Sequence, residues 1–597
     1  MELGSHGSPA GSGRASDGGG NRTRLRRPPP LWHDPAPPEP SCIRVLESEL
    51  RLPRTVCSLL ASRGITVAND AKRFLRPRLD QLHDPADLAD GPRAAERIAA
   101  ALRAGERILV HGDYDVDGIC AAALYTRWLR SLGGNVVPFA PHRLRDGYDF
   151  SDAGLTVAHE AGAKLIVTAD CATVAHDTIR RARERGIEVI VTDHHTAGAT
   201  LPEATAVVNP RRTDCRYPDK DLCGTGVAYK VCQLVGRMLG AAESELDAYL
   251  DLVALATIAD LVPLVGENRV LAAYGLRRLA SSRVAGVRAL MRVAGVPPEE
   301  VTAGKVGFVL APRINAAGRI GESADALRLL LTEDETEAQS LAEALERTNR
   351  ARQEEDGRTL DEALALLEIE YDPGSHYGVV VAAEGWHPGV IGIVASRVVE
   401  HIHRPVVMVA LDGEKGRGSA RSIPGFHLYE ALAECARLLR RFGGHRQAAG
   451  MDLARGSLAD FRVAFNAAAR ARLSDDHLRP ALRPDVELDL AAVDAKLVHW
   501  LSYLGPHGIG NPGPLFVARA VVLDRPRRVG DTHLKATLAT GTGRLDAIGF
   551  GFAAEHPPET VAGKPYDALF RLELNEWQGV TTPQARLVDL RPHAGSP

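Results

Sequence analysis

Between Gly91 and Val208 the apolar positions switch repeatedly between the three-to-four spacing of helices and short runs of consecutive Val, Ile and Leu. The spacing predicts helices over 92–104, 118–131 and 175–185, and strands over 107–111, 135–140, 164–169 and 187–192. Such alternation is the pattern of a parallel, doubly wound α/β sheet, whose ligand crevice lies beyond the carboxyl ends of its strands. A largely helical stretch follows over about 225–300, and 334–370 reads as one long polar helix joining two lobes. A second α/β unit opens on Gly378-Val-Val-Val-Ala382 and runs to about Asn466. Beyond about 480 the apolar runs are short and alternating, as in Leu515–Leu523, His533–Leu538 and Leu569–Leu574, which predicts a small β-barrel or sandwich.

Composition adds boundaries. Residues 1–40 are dominated by Gly, Ser, Arg and Pro and hold too little apolar surface to repay ordering, so they are expected to be a disordered tail. The basic cluster Arg22–Arg27 within them reads as a solvated face before a phosphate contact. Residues 41–90 follow as an N-terminal helical segment. The 597 residues call for about three to four domains. With 72 Lys+Arg against 76 Asp+Glu the formal charge is -4, so any nucleic-acid surface must be local. Eight scattered cysteines with no C-x-x-C pair argue against a zinc knuckle and a disulfide framework. No stretch approaches about 18 apolar residues and no basic-then-apolar leader opens the chain, so a cytoplasmic protein without a membrane partner is expected.

The chemistry sits where strands stop. His111-Gly-Asp-Tyr-Asp-Val-Asp-Gly118 places three carboxylates at alternate positions behind the first strand. Val167-Thr-Ala-Asp170 and Val191-Thr-Asp-His-His195 end two others, and Asp260 ends the apolar helical run from Tyr249. A calcium loop would need a Glu at its twelfth position, where this chain has Leu124. Carboxylates mixed with imidazoles suit Mn²⁺ first and Mg²⁺ second. His111, Asp113, Asp115, Asp170, His194 and Asp260 are enough for two ions about 3.5–4 Å apart, with Asp170 as the bridge. Such a pair activates water for phosphoester hydrolysis, with Asp170, His194 and His195 at the catalytic core.

Neighbouring residues on an extended strand point to opposite sides, so His194 and His195 are expected to divide ligation and substrate contact between them. Asp193 is expected to fix an imidazole tautomer from behind. Asp117 stays open between ligand and helix cap. In the second lobe, Lys415–Ser422 and Arg440–Arg446 intersperse glycines with Arg and His, a composition compatible with phosphate binding and equally with turns and a solvated face.

These motifs resemble the DHH phosphoesterase superfamily, named for the Asp193-His194-His195 triplet. Gly443-Gly-His445-Arg-Gln-Ala-Ala-Gly450 is similar to the signature of its associated DHHA1 domain. Within the superfamily, Ala311-Pro-Arg-Ile-Asn-Ala-Ala-Gly-Arg319, Glu384-Gly-Trp-His-Pro-Gly-Val-Ile-Gly392, Gly418-Ser-Ala-Arg421 and Gly510-Asn-Pro512 resemble the RecJ family of single-stranded-DNA-specific exonucleases.

The resemblance implies a DHH catalytic domain over 91–333, a connecting helix over 334–370, a DHHA1 domain over 371–475 and an OB-fold nucleic-acid-binding barrel over 480–597. It implies the six metal ligands above, with His195 toward the scissile phosphate, and Arg143, Arg313, Ser419, Arg421 and His445 on DNA phosphates, including the 5′-terminal one. It further implies 5′ to 3′ polarity. The chain departs from the family pattern at Cys171-Ala172, where Asn-Gly is more familiar, and at His142.

The reading is therefore a Mn²⁺- or Mg²⁺-dependent exonuclease that degrades single-stranded DNA to mononucleotides in repair and recombination, in a cleft between lobes. A helicase and a single-strand-binding protein are the expected partners. The competing readings are a DHH hydrolase of short oligonucleotides or cyclic dinucleotides, and a non-catalytic single-strand-binding replication scaffold. Loss of ligands would mark the last, and every proposed ligand stands in this sequence.

Overall fold

A computed structural model describes residue 25 and residues 27–143, 145–147 and 149–594. The chain divides into two compact units, one made of residues up to Leu31 with Gln353–Ala481, the other of Trp32–Arg352 with Leu482–Pro597.

The second of these contains a five-stranded sheet of β1 (Arg107–Gly112), β2 (Asn135–Phe139), β3 (Leu165–Ala169), β4 (Glu188–Thr192) and β5 (Ala206–Val208). Its order is β2-β1-β3-β4-β5 and every neighbouring pair is parallel. Chain direction across the sheet reverses between β1 and β3, so the loops after those strands diverge and open a crevice. The central strands are nearly continuous Val, Ile and Leu because both faces are covered.

One face packs on α1 (Val116–Ser131), α2 (Gly224–Leu239) and α3 (Leu250–Ala259), whose Tyr125, Trp128, Tyr229 and Val253 join a single core. Helix α3 is buried all round, which is why its apolar run shows no amphipathic stripe. The other face holds the helix Asp152–Glu160, absent from the sequence expectation. It buries Gly154, Leu155 and Ala158 and half-buries Val157, too little apolar surface to leave a readable period. Further along lie α4 (Ala311–Ile320) and α5 (Glu335–Glu370), the long helix expected over 334–370.

The unit containing Gln353–Ala481 is built on a mixed sheet of β6 (Val379–Glu384), β7 (Val406–Asp412), β8 (Lys415–Arg421), β9 (Leu439–Gly444) and β10 (Ala448–Ala454), in the order β9-β10-β8-β7-β6. Helix α6 (Ile391–Ile402) packs on β7 through Ile391, Val394 and Val398 against Val406 and Met408.

After Leu482 the chain forms a closed five-strand barrel of β11 (Phe516–Val529), β12 (His533–Ala539), β13 (Arg544–Gly549), β14 (Pro565–Trp577) and β15 (Val580–Pro592). The β11–β14 pairing closes the ring β11-β12-β13-β15-β14 and removes the sheet edges. Helices Pro40–Leu50, Arg54–Ser62 and Ala68–Leu75 share the barrel's core through Leu46, Leu59 and Leu60.

The barrel is fastened to the helical part of the same unit by Arg269. Its guanidinium donates to the carbonyls of Phe74, Tyr503, Leu504 and Gly505 and lies 3.8 Å over the Phe74 ring. Asn511 of the Gly510-Asn-Pro512 motif accepts from Arg63 at 2.8 Å and donates to the Leu504 and Pro506 carbonyls.

The disordered tail expected through residue 40 is corrected for the described part of that span. Leu31–Trp32 pairs with Ala481–Leu482, Trp32 Nε1 donates to Asp589 at 2.6 Å, and the Arg591 guanidinium lies 4.4 Å over its ring. One tryptophan on a basic partner orders a stretch whose average composition reads as disorder. Residues 1–24 and 26, with most of the Arg22–Arg27 cluster, lie outside the described residues. No helix among the described residues is long and apolar enough to cross a membrane.

Candidate metal centre

The strand ends converge as their positions predict. Three groups of donor atoms each lie within 4.8 Å of one another: Asp113–Asp115–Asp170, Asp170–His194–His195 and Asp117–His194–Asp260. Asp170 and His194 each belong to two of them. His194 Nε2 lies 3.2 Å from Asp170 Oδ1 and 3.6 Å from Asp260 Oδ2. His111 joins none of the three groups. Its ring lies against Phe139 and Phe150, with Nδ1 3.7 Å from Cys171 Sγ.

The local sequence explains the geometry. Gly112 and Gly118 let the first turn of α1 press on the loop: a Cβ on Gly118 would stand 2.3 Å from the Asp113 nitrogen. Asp115 caps α1 by accepting from the amides of Asp117 and Gly118. Asp170 holds a left-handed backbone at φ 68, a strained conformation of the kind retained at functional sites. A Cβ on Gly224 would come within 2.5 Å of the Asp170 side chain, so only glycine lets α2 start there.

Asp117, left open by the sequence, welds these parts together. Its two carboxylate oxygens accept the amides of Gly224 and Thr225 at the start of α2, at 2.6 and 2.7 Å. It is also 3.9 Å from His194 Nε2.

The expectation that His194 and His195 point to opposite sides is corrected. Strand β4 ends at Thr192, and both histidine amides then donate to Asp193 Oδ1, a turn that leaves the two rings only 4.7 Å apart. Asp193 Oδ1 also meets His195 Nδ1 at 2.7 Å while its Oδ2 accepts from Thr173, so it orients the imidazole as expected. Asn209, unremarked in the sequence because it carries no charge, donates to Thr173 Oγ1 and the His195 carbonyl.

Charge crowds this centre. Burial first, then neighbouring carboxylates, push the Asp113, Asp115 and Asp170 carboxyls up, and Asp260 reaches about 8 for the same reasons. Burial works against a charge on His195, but its hydrogen bond to Asp193 and the negative charges of Asp193, Asp115 and Asp260 together outweigh it and raise the imidazole to about 9. Burial alone lowers His111 to about 4. Asp113 Oδ1, Asp170 Oδ1, His111 Nε2 and both ring nitrogens of His194 are buried without a hydrogen-bond partner. Buried polar atoms in such number are costly unless something fills the space between them. A divalent cation fits that donor set, and mixed carboxylate and imidazole ligation suits Mn²⁺ and Mg²⁺ sites of this kind.

The residues expected on substrate separate. Arg143 lies 5.1 Å over the ring of Tyr114, inside the metal loop. Ser419 and Arg421 neighbour each other on β8 at 3.2 Å, and a Cβ on Gly392 at the start of α6 would touch both. His445 is exposed in the turn between β9 and β10. Arg313 pairs with Glu346 at 2.7 Å, each side chain only 13% exposed, and donates to the Val309 carbonyl.

Residues 107–257 match the DHH family, N-terminal domain, residues 376–471 the DHHA1 domain and residues 484–589 the RecJ OB domain. The chain is 36% identical to the single-stranded-DNA-specific exonuclease RecJ of Escherichia coli over 91% of this chain and 96% of that protein. It is 40% identical to the RecJ of Thermus thermophilus over 83% of this chain and 70% of that protein. The crystal structure of Thermus thermophilus RecJ in complex with Mn²⁺ superposes with a TM-score of 0.82 at 34% identity, covering 96% of this chain and 81% of that one. A second RecJ structure, bound to manganese, is 40% identical with a TM-score of 0.58, covering 67% of this chain and 98% of that one. Three domain matches in one order and relatives 36% and 40% identical agree: the chain belongs to the RecJ family.

Proposed function

We propose that this protein is a divalent-metal-dependent exonuclease that hydrolyses single-stranded DNA from its 5′ end to mononucleotides. The convergence of Asp113, Asp115, Asp170, His194 and Asp260, with buried atoms of Asp113, Asp170 and His194 left unsatisfied, carries the proposal. Divalent ions held there supply a water of lowered pKa and a positive clamp on the scissile phosphate. Asp170, grouped both with Asp113 and Asp115 and with His194 and His195, would hold ions together with them, and Asp193 holds His195 with Nδ1 engaged. With Nδ1 so engaged, Nε2 is the atom of His195 from which a proton would pass to the leaving 3′ oxygen. Arg143, beside Tyr114, binds a phosphate next to the scissile one. Ser419 and Arg421 beside Gly392, with His445, form a separate phosphate cradle suited to the 5′-terminal group.

Strand selectivity is supported by the barrel. Cross-strand partners share one face of a sheet, and the partners Arg527–Lys535, Lys535–Ile548, Ile548–Arg586 and Arg586–Arg571 draw one continuous row. Four of its five members are cationic. Beside it Phe550 is 49% exposed, with the Arg586 guanidinium 5.3 Å above its ring. A line of cations with an exposed aromatic suits a phosphate backbone and an unstacked base, the two features a single strand offers irrespective of sequence. This row also favours a long strand over the short substrates of the competing hydrolase reading. An enzyme restricted to single strands needs a helicase to supply them and meets single-strand-binding protein on them, and a cytoplasmic location follows from that substrate.

Asp170→Asn tests the proposal. Hydrolysis of single-stranded DNA should disappear while binding of the same strand in EDTA persists. Retained hydrolysis would refute the assignment.

A further inference from the structure

The Ala311–Arg319 motif is one of the family-specific segments, and its Arg313 pairs with Glu346 of α5. The remainder of the helix bears on the metal loop. Helix α1 begins with amides that have no partner within the helix. Asp115 takes those of Asp117 and Gly118, and the Ile119 amide reaches the Asp115 carbonyl. The Val116 amide is left over, and Asn315 Oδ1 of α4 accepts it at 3.2 Å. One turn further, Gly318 rests on the loop itself. A Cβ there would stand 2.5 Å from the Tyr114 carbonyl oxygen and 3.3 Å from its carbonyl carbon.

We infer that Asn315 and Gly318 are positioning residues for the metal loop, which rests on the reading that Asp113 and Asp115 hold an ion. Asp115's cap fixes only the loop's own conformation, because cap and amides lie within four residues of one another. Asn315 and Gly318 come from a helix about 200 residues away and fix the loop against the body of the protein. The ends of α4 are themselves held, by Arg313 to Glu346 and by the close approach of Gly321 to Thr348 of α5, where an added Cβ would stand 3.1 Å away. Loss of either support leaves every ligand in place and loosens the spacing between the carboxylates of one loop and Asp170 of the next.

Groups that orient metal ligands typically change affinity 10- to 100-fold when removed. Mn²⁺ binding is measured by electron paramagnetic resonance of the free ion with the full-length protein, independently of nuclease activity, with thermal melts in EDTA alongside. Asn315→Leu, of similar size but without an acceptor, is expected to weaken Mn²⁺ binding about 10-fold or more. Gly318→Ala should do the same by pushing Tyr114 away, and Asn315→Asp, which keeps an acceptor oxygen, should bind within about threefold of the parent. The inference is overturned if Asn315→Leu and Gly318→Ala bind Mn²⁺ as the parent does, whatever their melting temperatures. It is equally overturned if Asn315→Asp loses as much as Asn315→Leu. A parent that binds no Mn²⁺ would defeat the metal reading itself, a different result from parent and variants binding alike.

Discussion

Asp117 and Gly224 stand 107 residues apart in sequence and 2.6 Å apart across the hydrogen bond between the carboxylate of one and the amide of the other. Through that bond the metal loop caps α2, and the same Gly224 gives Asp170 the room it occupies. Asp117→Asn keeps the shape but turns an amino group toward one of two amide donors. The expected result is a loss of about 2–3 kcal/mol, read as a lower melting temperature in EDTA. An unchanged or higher transition would mean that relief of carboxylate crowding outweighs the cap.

Ala172, two residues after Asp170, holds φ 86, with its amide donating to Asp149. A Cβ is strained there and glycine is not. Ala172→Gly should therefore stabilise the protein by about 1 kcal/mol, seen as a higher thermal transition with Mn²⁺ dependence unchanged. A lower transition would show that the strain is absent or compensated.

Acidity should act on the metal-free protein through Asp260, whose carboxyl is raised from 3.8 to about 8 by burial and then by Asp117 and Asp115. A group raised in the folded state contributes stability that is full below its unfolded pKa and is lost as pH climbs through the folded one. Metal-free protein should lose stability between about pH 4 and pH 8 more steeply than Asp260→Asn does. Over the same range Mn²⁺ affinity should rise with pH, because entering ions must displace those protons. Parallel pH profiles for parent and variant, measured by thermal melts, would contradict this.

The barrel row predicts a salt signature. Lys535→Ala and Arg586→Ala should each weaken binding of long single strands irrespective of sequence, and each should lower the slope of log affinity against log salt by about 0.7. Fluorescence titrations across salt concentrations read both. A full slope in either variant would remove that residue from the DNA path.

The sequence exposed what is charged and periodic. Asp113, Asp115, Asp170, His194 and Asp260 were legible because each closes an apolar run, and parallel sheets gather such ends at one edge. The barrel and the long helix were legible from period alone. Asp117's cap on Gly224, Asn209 on His195 and Asn315 on Val116 were not, because they join distant segments through uncharged or backbone partners that leave no local pattern. The pairing of Arg313 with Glu346 was hidden too, since the two sit on different helices. The paired histidines failed through backbone geometry: the strand rule applied to them holds only as far as Thr192. Leu31–Trp32 was hidden by the prolines around it.

The most direct test of the account is product analysis with single-stranded DNA labelled at the 5′ or the 3′ end, in Mn²⁺, Mg²⁺ and EDTA. The account predicts early release of a labelled mononucleotide from the 5′-labelled strand alone, with either ion and never in EDTA. Early mononucleotide release from the 3′-labelled strand, or no cleavage of long strands under either ion, would contradict it.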